Sequence, residues 1–249
     1  MAAKTLWLAW GLWCYFWIVL FTAVLGSTTI ALTFVDPGGN LIQQVARSWA
    51  RNILRFCRVS VRVEGLEHLT PGEAYVFAAN HRSYFDIFVL YAALPGKLLW
   101  VAKQSLFYIP IFGQALARIG CVPVDRSNLQ SAIRTLNQAA AKVQAGASMV
   151  IFPEGTRGTT GELLPFKKGV FIMALKAGQP VVPVSISGTF FIQPRLTLAV
   201  RPGPVKVVIS PPIGVQDITR KEDLMEAVRQ AIAAHYDPEF PYGPRNERR

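Results

Sequence analysis

No charged side chain occurs between Lys4 and Asp36, and the 31 residues from Thr5 to Val35, "TLWLAWGLWCYFWIVLFTAVLGSTTIALTFV", constrain the chain more than any other feature. The run exceeds the apolar core of a signal peptide, about 7 to 15 residues. As a single helix it would extend about 46 Å, against a bilayer hydrocarbon layer of about 30 Å. It must therefore tilt or break, and Gly26-Ser27-Thr28-Thr29 is the expected break. Two geometries satisfy these lengths: a span of about 20 residues from Leu6 with an interfacial extension, or a helical hairpin entering one leaflet. Trp7, Trp10, Trp13, Tyr15 and Trp17 suit either, because amphipathic rings favour the headgroup region.

The flanks orient the segment. Lys4 is the only cation before it, whereas Arg47, Arg51, Arg55, Arg58 and Arg62 follow, so the remainder is expected on the cytoplasmic side of a cell membrane. Cys14, Cys57 and Cys121 agree with a reducing compartment, being too scattered for a disulfide framework. A formal net charge of +11 calls for an acidic partner. No nucleic-acid-binding motif is recognisable and the anchor is hydrophobic, so an anionic membrane surface is the expected partner and nucleic acid is not.

Asp36-Pro37-Gly38-Gly39-Asn40 ends the apolar segment. Residues 41–58 then place Leu41, Ile42, Val45, Trp49, Ile53 and Phe56 on one helical arc and Arg47, Arg51, Arg55 and Arg58 opposite. Such a helix can lie on a membrane or dock its apolar face on the protein's own core, and its position after the anchor favours lipid. From Ser60 onward, "VRVEG", "YVFAAN", "LLWVAK", "CVPVDR", "SMVIFPEG", "QPVVPVSISG" and "PVKVVISPPI" read as short strands, with helices at 128–144 and 165–177 between them. The alternation predicts an α/β fold with a largely parallel central sheet flanked by helices, preceded by the membrane-embedded helical segment. A last helix has Thr219 as its expected N-cap, Glu222 three residues on, and a stripe of Leu224, Val228, Ile232 and His235. The expected organisation is a membrane-anchoring motif at 1–58, an α/β domain at 59–240 and a polar tail at 241–249.

Chemistry is expected at the carboxyl ends of the strands, which converge on one rim of a parallel sheet. Histidine is the residue type able to take and return a proton near neutral pH. Of the three histidines, His68 sits in a polar turn and His235 near the end of a helix, whereas His81 follows the strand "YVFAAN". On a continuous helix Asp86 would lie about 140° from His81. The carboxylate can reach the imidazole only if Arg82-Ser83-Tyr84-Phe85 forms the turn into a helix. It would then orient the base, although the same spacing alone is more often a polar turn. Ser83 lacks a Gly-x-Ser-x-Gly elbow, and too few ligands accompany His81 for a metal. "VIFPEGTRG", 150–158, delivers Glu154, Gly155, Thr156 and Arg157 to a loop that continues to Lys167 and Lys168, and Arg157 is suited to gripping phosphate. Lys103 and Arg126 follow two further strand ends. Each cation taken singly could be a solvated residue of a basic protein, but four strand ends bearing such groups share one rim.

"NHRSYFD", "GCVPVDR", "FPEGTRG" and "VVPVSI" occur in the order of the four blocks of the glycerolipid acyltransferases, and from about Val61 to Ile213 the chain resembles that family. Cys121 and Pro123 depart from the bulky apolar residues usual in the second block. The resemblance implies a general base at His81 with Asp86 as its partner, and a glycerophosphate-binding loop of Glu154, Gly155, Thr156 and Arg157, with Lys103 and Arg126 as further phosphate contacts. It also implies transfer of an acyl group from acyl-CoA or acyl carrier protein to the 2-hydroxyl of lysophosphatidic acid, with no metal and no redox cofactor. An oxyanion donor is expected among the backbone N–H groups that open the helix after His81. Other acceptors remain open: glycerol 3-phosphate, a lysophospholipid or a lyso-aminolipid. So does a non-catalytic lipid-binding protein, whereas a lipid phosphatase is disfavoured by the missing metal ligands.

Overall fold

The computed structural model describes residues 2–125, 129–216, 218 and 220–241. Its first helix, α1 (Ala2–Leu32), runs without interruption through Gly26-Ser27-Thr28-Thr29, so the expected break is absent. Two features explain the continuity. Thr28 and Thr29 donate their hydroxyls to the helix's own carbonyls, Val24 O (3.0 Å) and Leu25 O (2.9 Å), which removes the polar groups from an apolar surface. Gly26 serves packing instead: a Cβ there would lie 2.8 Å from Cγ2 of Ile111.

A turn leads into α2 (Asn40–Phe56), where Asp36 accepts the N–H groups of Asn40 and Ile42 and so caps the helix from outside it. The two helices run antiparallel. Trp49 Nε1 donates to Thr22 Oγ1 (3.0 Å) and Trp13 Nε1 to Phe56 O (3.2 Å). The segment from Trp7 to Leu32 is long and apolar enough to cross a membrane. One side of α1 is nevertheless taken up by protein, with Cys14 buried and Trp10, Tyr15, Ile18 and Phe21 against the core, while Leu8, Leu12, Phe16, Val19 and Val24 stay exposed.

The expectation that α2 offers its apolar face to lipid is corrected. Ile42, Ala46, Ala50, Ile53 and Leu54 are buried, packing between α1 and α3 (Phe85–Ala93). Gln43 is buried as well, its amide exchanging hydrogen bonds with the backbone of Leu98. Nor are all the arginines in water: Arg47 donates to Leu94 O and Gly96 O, carbonyls left open where α3 ends. Packing between α1 and α3 removes the helix's apolar stripe from water without any lipid.

All seven predicted strands form. The sheet runs β1 (Val59–Glu64), β7 (Gly203–Ile209), β6 (Val181–Ser187), β2 (Val76–Ala79), β5 (Ser148–Ile151), β3 (Leu98–Lys103), β4 (Val122–Val124). β6, β2, β5, β3 and β4 are mutually parallel, β7 is antiparallel to β6, and β1 is parallel to β7. One face carries α1, α2, α3, α4 (Phe112–Ile119) and α7 (Thr189–Ile192) over Phe77, Ala79, Trp100 and Val150. The other carries α5 (Leu129–Gln144), α6 (Lys168–Ala177) and α8 (Lys221–His235) over Val76, Ala78, Leu99 and Met149. With both faces covered, the central strands read as unbroken apolar runs.

Leu224, Val228 and Ile232 of α8 are buried as expected, but His235 is exposed at the helix end, and Thr219 lies outside the described residues. Of the predicted tail, residues 242–249 also lie outside them.

Candidate active site

β2 ends at Ala79, and Asn80 fixes the exit of the chain. Its side chain donates to Ile186 O (2.8 Å) and accepts from Ile186 N (2.7 Å), extending the pairing with β6 by one residue. His81 therefore continues the strand's alternation onto the face that carries Phe77 and Ala79. Its ring stacks on Phe152, centroids 3.8 Å apart and planes 9° apart, and Phe152 in turn meets Trp100.

The chain then turns into α3, as the His81–Asp86 reading requires. His81 Nδ1 and Asp86 Oδ2 are 2.7 Å apart, and the same oxygen accepts the N–H groups of Arg82 (2.7 Å) and Ser83 (2.9 Å). One carboxylate thus sets both the turn and the imidazole. Donation from Nδ1 leaves Nε2 as the unprotonated nitrogen. The Asp86 side chain is fully buried, whereas the His81 side chain retains 14% exposure. Such a buried carboxylate, with three groups on one oxygen, holds the His81 imidazole in one orientation.

Glu154 departs from its expected place in a phosphate-binding loop. Its side chain is buried, with Oε1 accepting from His81 N (2.8 Å) and Oε2 from Arg82 Nη1 (2.7 Å) and Leu164 N (2.8 Å). An anion in this position would repel a phosphate, and both of its oxygens already accept hydrogen bonds from the protein. Its geometry is that of a brace under the histidine turn.

Arg82, the other half of this buried pair, is a residue whose importance sequence reasoning missed. It is the largest fully buried side chain among the described residues, 1% exposed. Besides Glu154 it donates to His81 O, Glu162 O and the Tyr236 hydroxyl. Burial alone would lower its pKa, but the Glu154 carboxylate outweighs that cost and the net shift is upward, so the guanidinium stays charged. Burial likewise raises the Tyr236 phenol, keeping it the donor to Gly161 O (2.6 Å). The sequence signal for Arg82 was its place inside "NHRSYFD". Tyr236, just beyond α8, carried none. Gly158 completes the packing: its N–H donates to His81 O (3.0 Å), and a Cβ would stand 2.6 Å from Arg82 Nη1.

The outer part of the loop differs. Gly155 adopts φ +70° in the turn that leaves β5, Thr156 is exposed, and the Arg157 guanidinium lies over the ring of Tyr84 at 3.6 Å. Lys103 is exposed at the end of β3, on the same rim and two strands from β2. Arg126 lies outside the described residues. Lys167 follows the loop, its N–H on Pro153 O (2.7 Å), and Lys168 approaches Glu222 (3.5 Å). Ser83 is buried, its hydroxyl donating to Gln193 O (3.0 Å), which removes it as a nucleophile.

Three of the N–H groups expected as oxyanion donors at the start of α3 are also engaged. The N–H groups of Arg82 and Ser83 serve Asp86, and that of Phe85 serves the Ser83 hydroxyl. Cys121 is buried, and burial pushes its thiol up to about 11, so it offers no thiolate near neutral pH.

Residues 60–187 match a family model described as acyltransferase. A chloroplastic 1-acyl-sn-glycerol-3-phosphate acyltransferase of Brassica napus, BAT2, is 37% identical over 199 residues, which cover 79% of this chain and 57% of the relative. The Homo sapiens 1-acyl-sn-glycerol-3-phosphate acyltransferase alpha is 30% identical over 203 residues, covering 81% and 70%. The chain therefore spans little more than half of the Brassica protein's length. The crystal structure of the 1-acyl-sn-glycerophosphate acyltransferase PlsC from Thermotoga maritima superposes with a TM-score of 0.82 at 24% identity, covering 93% of this chain and 96% of that one. That likeness extends to the N-terminal helices as well as to the sheet.

Proposed function

This chain belongs to the acyltransferase family, and from that membership we propose that it transfers a fatty acyl group from an acyl thioester to the 2-hydroxyl of 1-acyl-sn-glycerol 3-phosphate, giving phosphatidic acid for phospholipid synthesis. The observation that carries the reading is the His81–Asp86 pair, 2.7 Å apart with a buried carboxylate and a partly open imidazole. His81 Nε2 takes the hydroxyl proton as the oxygen attacks the thioester carbonyl carbon. The tetrahedral intermediate collapses with cleavage of the C–S bond, and the proton returns from His81 to the departing thiolate. Asp86 stabilises the imidazolium formed between these steps.

Gly155, Thr156 and Arg157 bind the phosphate of the acceptor, with Lys103 and Arg126 adding charge from neighbouring strand ends. By holding the phosphate they hold the 2-hydroxyl against His81, which converts an encounter of two substrates into a positioned reaction. Glu154 acts through Arg82 and the His81 backbone as a positioning residue. Neither a metal nor a redox cofactor is required for proton transfer and thioester exchange. The donor is acyl-CoA or acyl carrier protein; both are acidic and complement a chain of net charge +11. The apolar first helix and the arginine excess after it support a reaction at the cytoplasmic face of the cell membrane.

A labelled acyl thioester offered to lysophosphatidic acid or to glycerol 3-phosphate, with purified wild type and His81→Ala in detergent, tests the reading. Transfer to lysophosphatidic acid that vanishes in the variant is expected. Transfer to glycerol 3-phosphate alone would change the acceptor, and transfer to neither would remove the activity.

A further inference from the structure

Leu196, 87% exposed, is the most exposed large apolar side chain among the described residues, and Leu198 in the same loop is 77% exposed. The backbone there is strained as well. Thr197 N bonds Pro194 O (3.4 Å), closing a turn whose third residue, Leu196, has φ +68°. That position favours glycine or asparagine, and a leucine costs energy there while its side chain gains little burial. A leucine so largely hydrated in a strained turn implies burial against something else.

The surroundings identify it. The loop abuts α1: Leu198 O lies 3.3 Å from where a Cβ on Gly11 would stand, and Gln193 Nε2 donates to the Tyr15 hydroxyl (2.7 Å). The loop therefore lies against the same helix that exposes Leu8 and Leu12, residues close to Gly11 in sequence. Arg195 is half-buried and Arg201 exposed, placing cations on either side of the leucines. An apolar tip with flanking cations, beside a helix apolar enough to cross a membrane, matches the interfacial layer of a bilayer containing anionic lipid.

We propose that the Pro194–Ala199 loop is a second bilayer contact beside α1, with Leu196 and Leu198 immersed among lipid acyl chains. The loop is tied to the candidate site at two points: Arg195 Nη1 donates to Arg157 O (2.8 Å), and Gln193 O accepts the Ser83 hydroxyl (3.0 Å). Immersion of the leucines thus sets the height of Arg157 above the membrane and delivers a bilayer-resident acceptor to it laterally.

The test uses Leu196→Cys in the full chain, labelled with an environment-sensitive fluorophore. Cys14, Cys57 and Cys121 are buried, so the introduced thiol is the one labelled. Arg134→Cys, on α5 across the sheet, is the control. In phosphatidylcholine vesicles with a minority of phosphatidylglycerol, the label at 196 should emit further to the blue and be quenched several-fold more strongly by spin-labelled acyl chains than the label at 134. Equal quenching at both positions would overturn the proposal. So would a blue shift that follows protein concentration and ignores the spin-labelled lipid, since a second copy would then cover the loop.

A kinetic arm, Leu196→Asp combined with Leu198→Asp, should raise KM for a long-chain acceptor in vesicles several-fold and leave KM for the soluble thioester unchanged. A rise in both, or in neither, counts against delivery through the loop. This arm rests on the proposed reaction and the fluorescence arm does not, so the two ideas fail separately.

Discussion

Two halves of one loop behave oppositely. Glu154 points inward, fully engaged with Arg82 and the backbone of His81, whereas Thr156 and Arg157, two and three residues later, face outward, with Arg157 resting on Tyr84. The inner half is a closed polar network in which every charge has a partner, so its geometry is set before any ligand arrives. The outer half leaves Thr156 exposed and rests the half-buried Arg157 on the exposed ring of Tyr84, outside that network. Precision beneath the histidine and freedom beside it are served by adjacent residues.

This contrast can be broken from several sides. His81→Ala should have the largest effect on function, lowering turnover by about three orders of magnitude, within the range for loss of a general base, with the melting temperature nearly unchanged. Retained turnover in an acyl-transfer assay would take His81 out of the mechanism. Arg82→Met should act on the fold, because it strands the Glu154 carboxylate in the interior; a loss of about 3 to 5 kcal/mol in denaturant unfolding is expected. Arg82→Met with Glu154→Leu should recover part of it, and a double variant no better than the single one would show that the pair is not the source of the cost.

Gly158→Ala should cost less, about 1 to 3 kcal/mol, since a methyl would press on a guanidinium that cannot retreat. Thermal denaturation would register it, and an unchanged midpoint would mean that the loop shifts freely. The smallest stability effect belongs to Arg157→Ala. Its expected signature is kinetic, a rise of about tenfold or more in KM for the phosphorylated acceptor, consistent with one lost charge-assisted bond, and little change for the thioester. Equal rises for both substrates would place Arg157 with the inner half.

Much of the sheet was legible in the sequence because apolar β-branched runs between turn residues have few other ways to bury both faces. His81 was legible for a similar reason: a histidine directly after such a run must emerge at a strand's carboxyl end. What the pattern left open was the turn between His81 and Asp86. It depends on one carboxylate oxygen meeting two N–H groups and a ring nitrogen at once, a matter of three-dimensional closure. The inward direction of Glu154 was not legible for the same reason, as its partners Arg82 and Leu164 lie 72 and 10 residues away along the chain.

Periodicity similarly showed that α2 has an apolar and a basic face but could not say what covers the apolar one. A hydrophobic stripe is satisfied equally by lipid or by protein, and only the arrival of α1 and α3 against it decided for protein. Composition and order of motifs by themselves determined an apolar N-terminal helix, a doubly covered largely parallel sheet and a histidine at its rim. Tertiary structure alone decided the continuity of α1, the burial of the Arg82–Glu154 pair and the exposure of Leu196, because each depends on which distant segment fills, or leaves empty, the space beside a side chain.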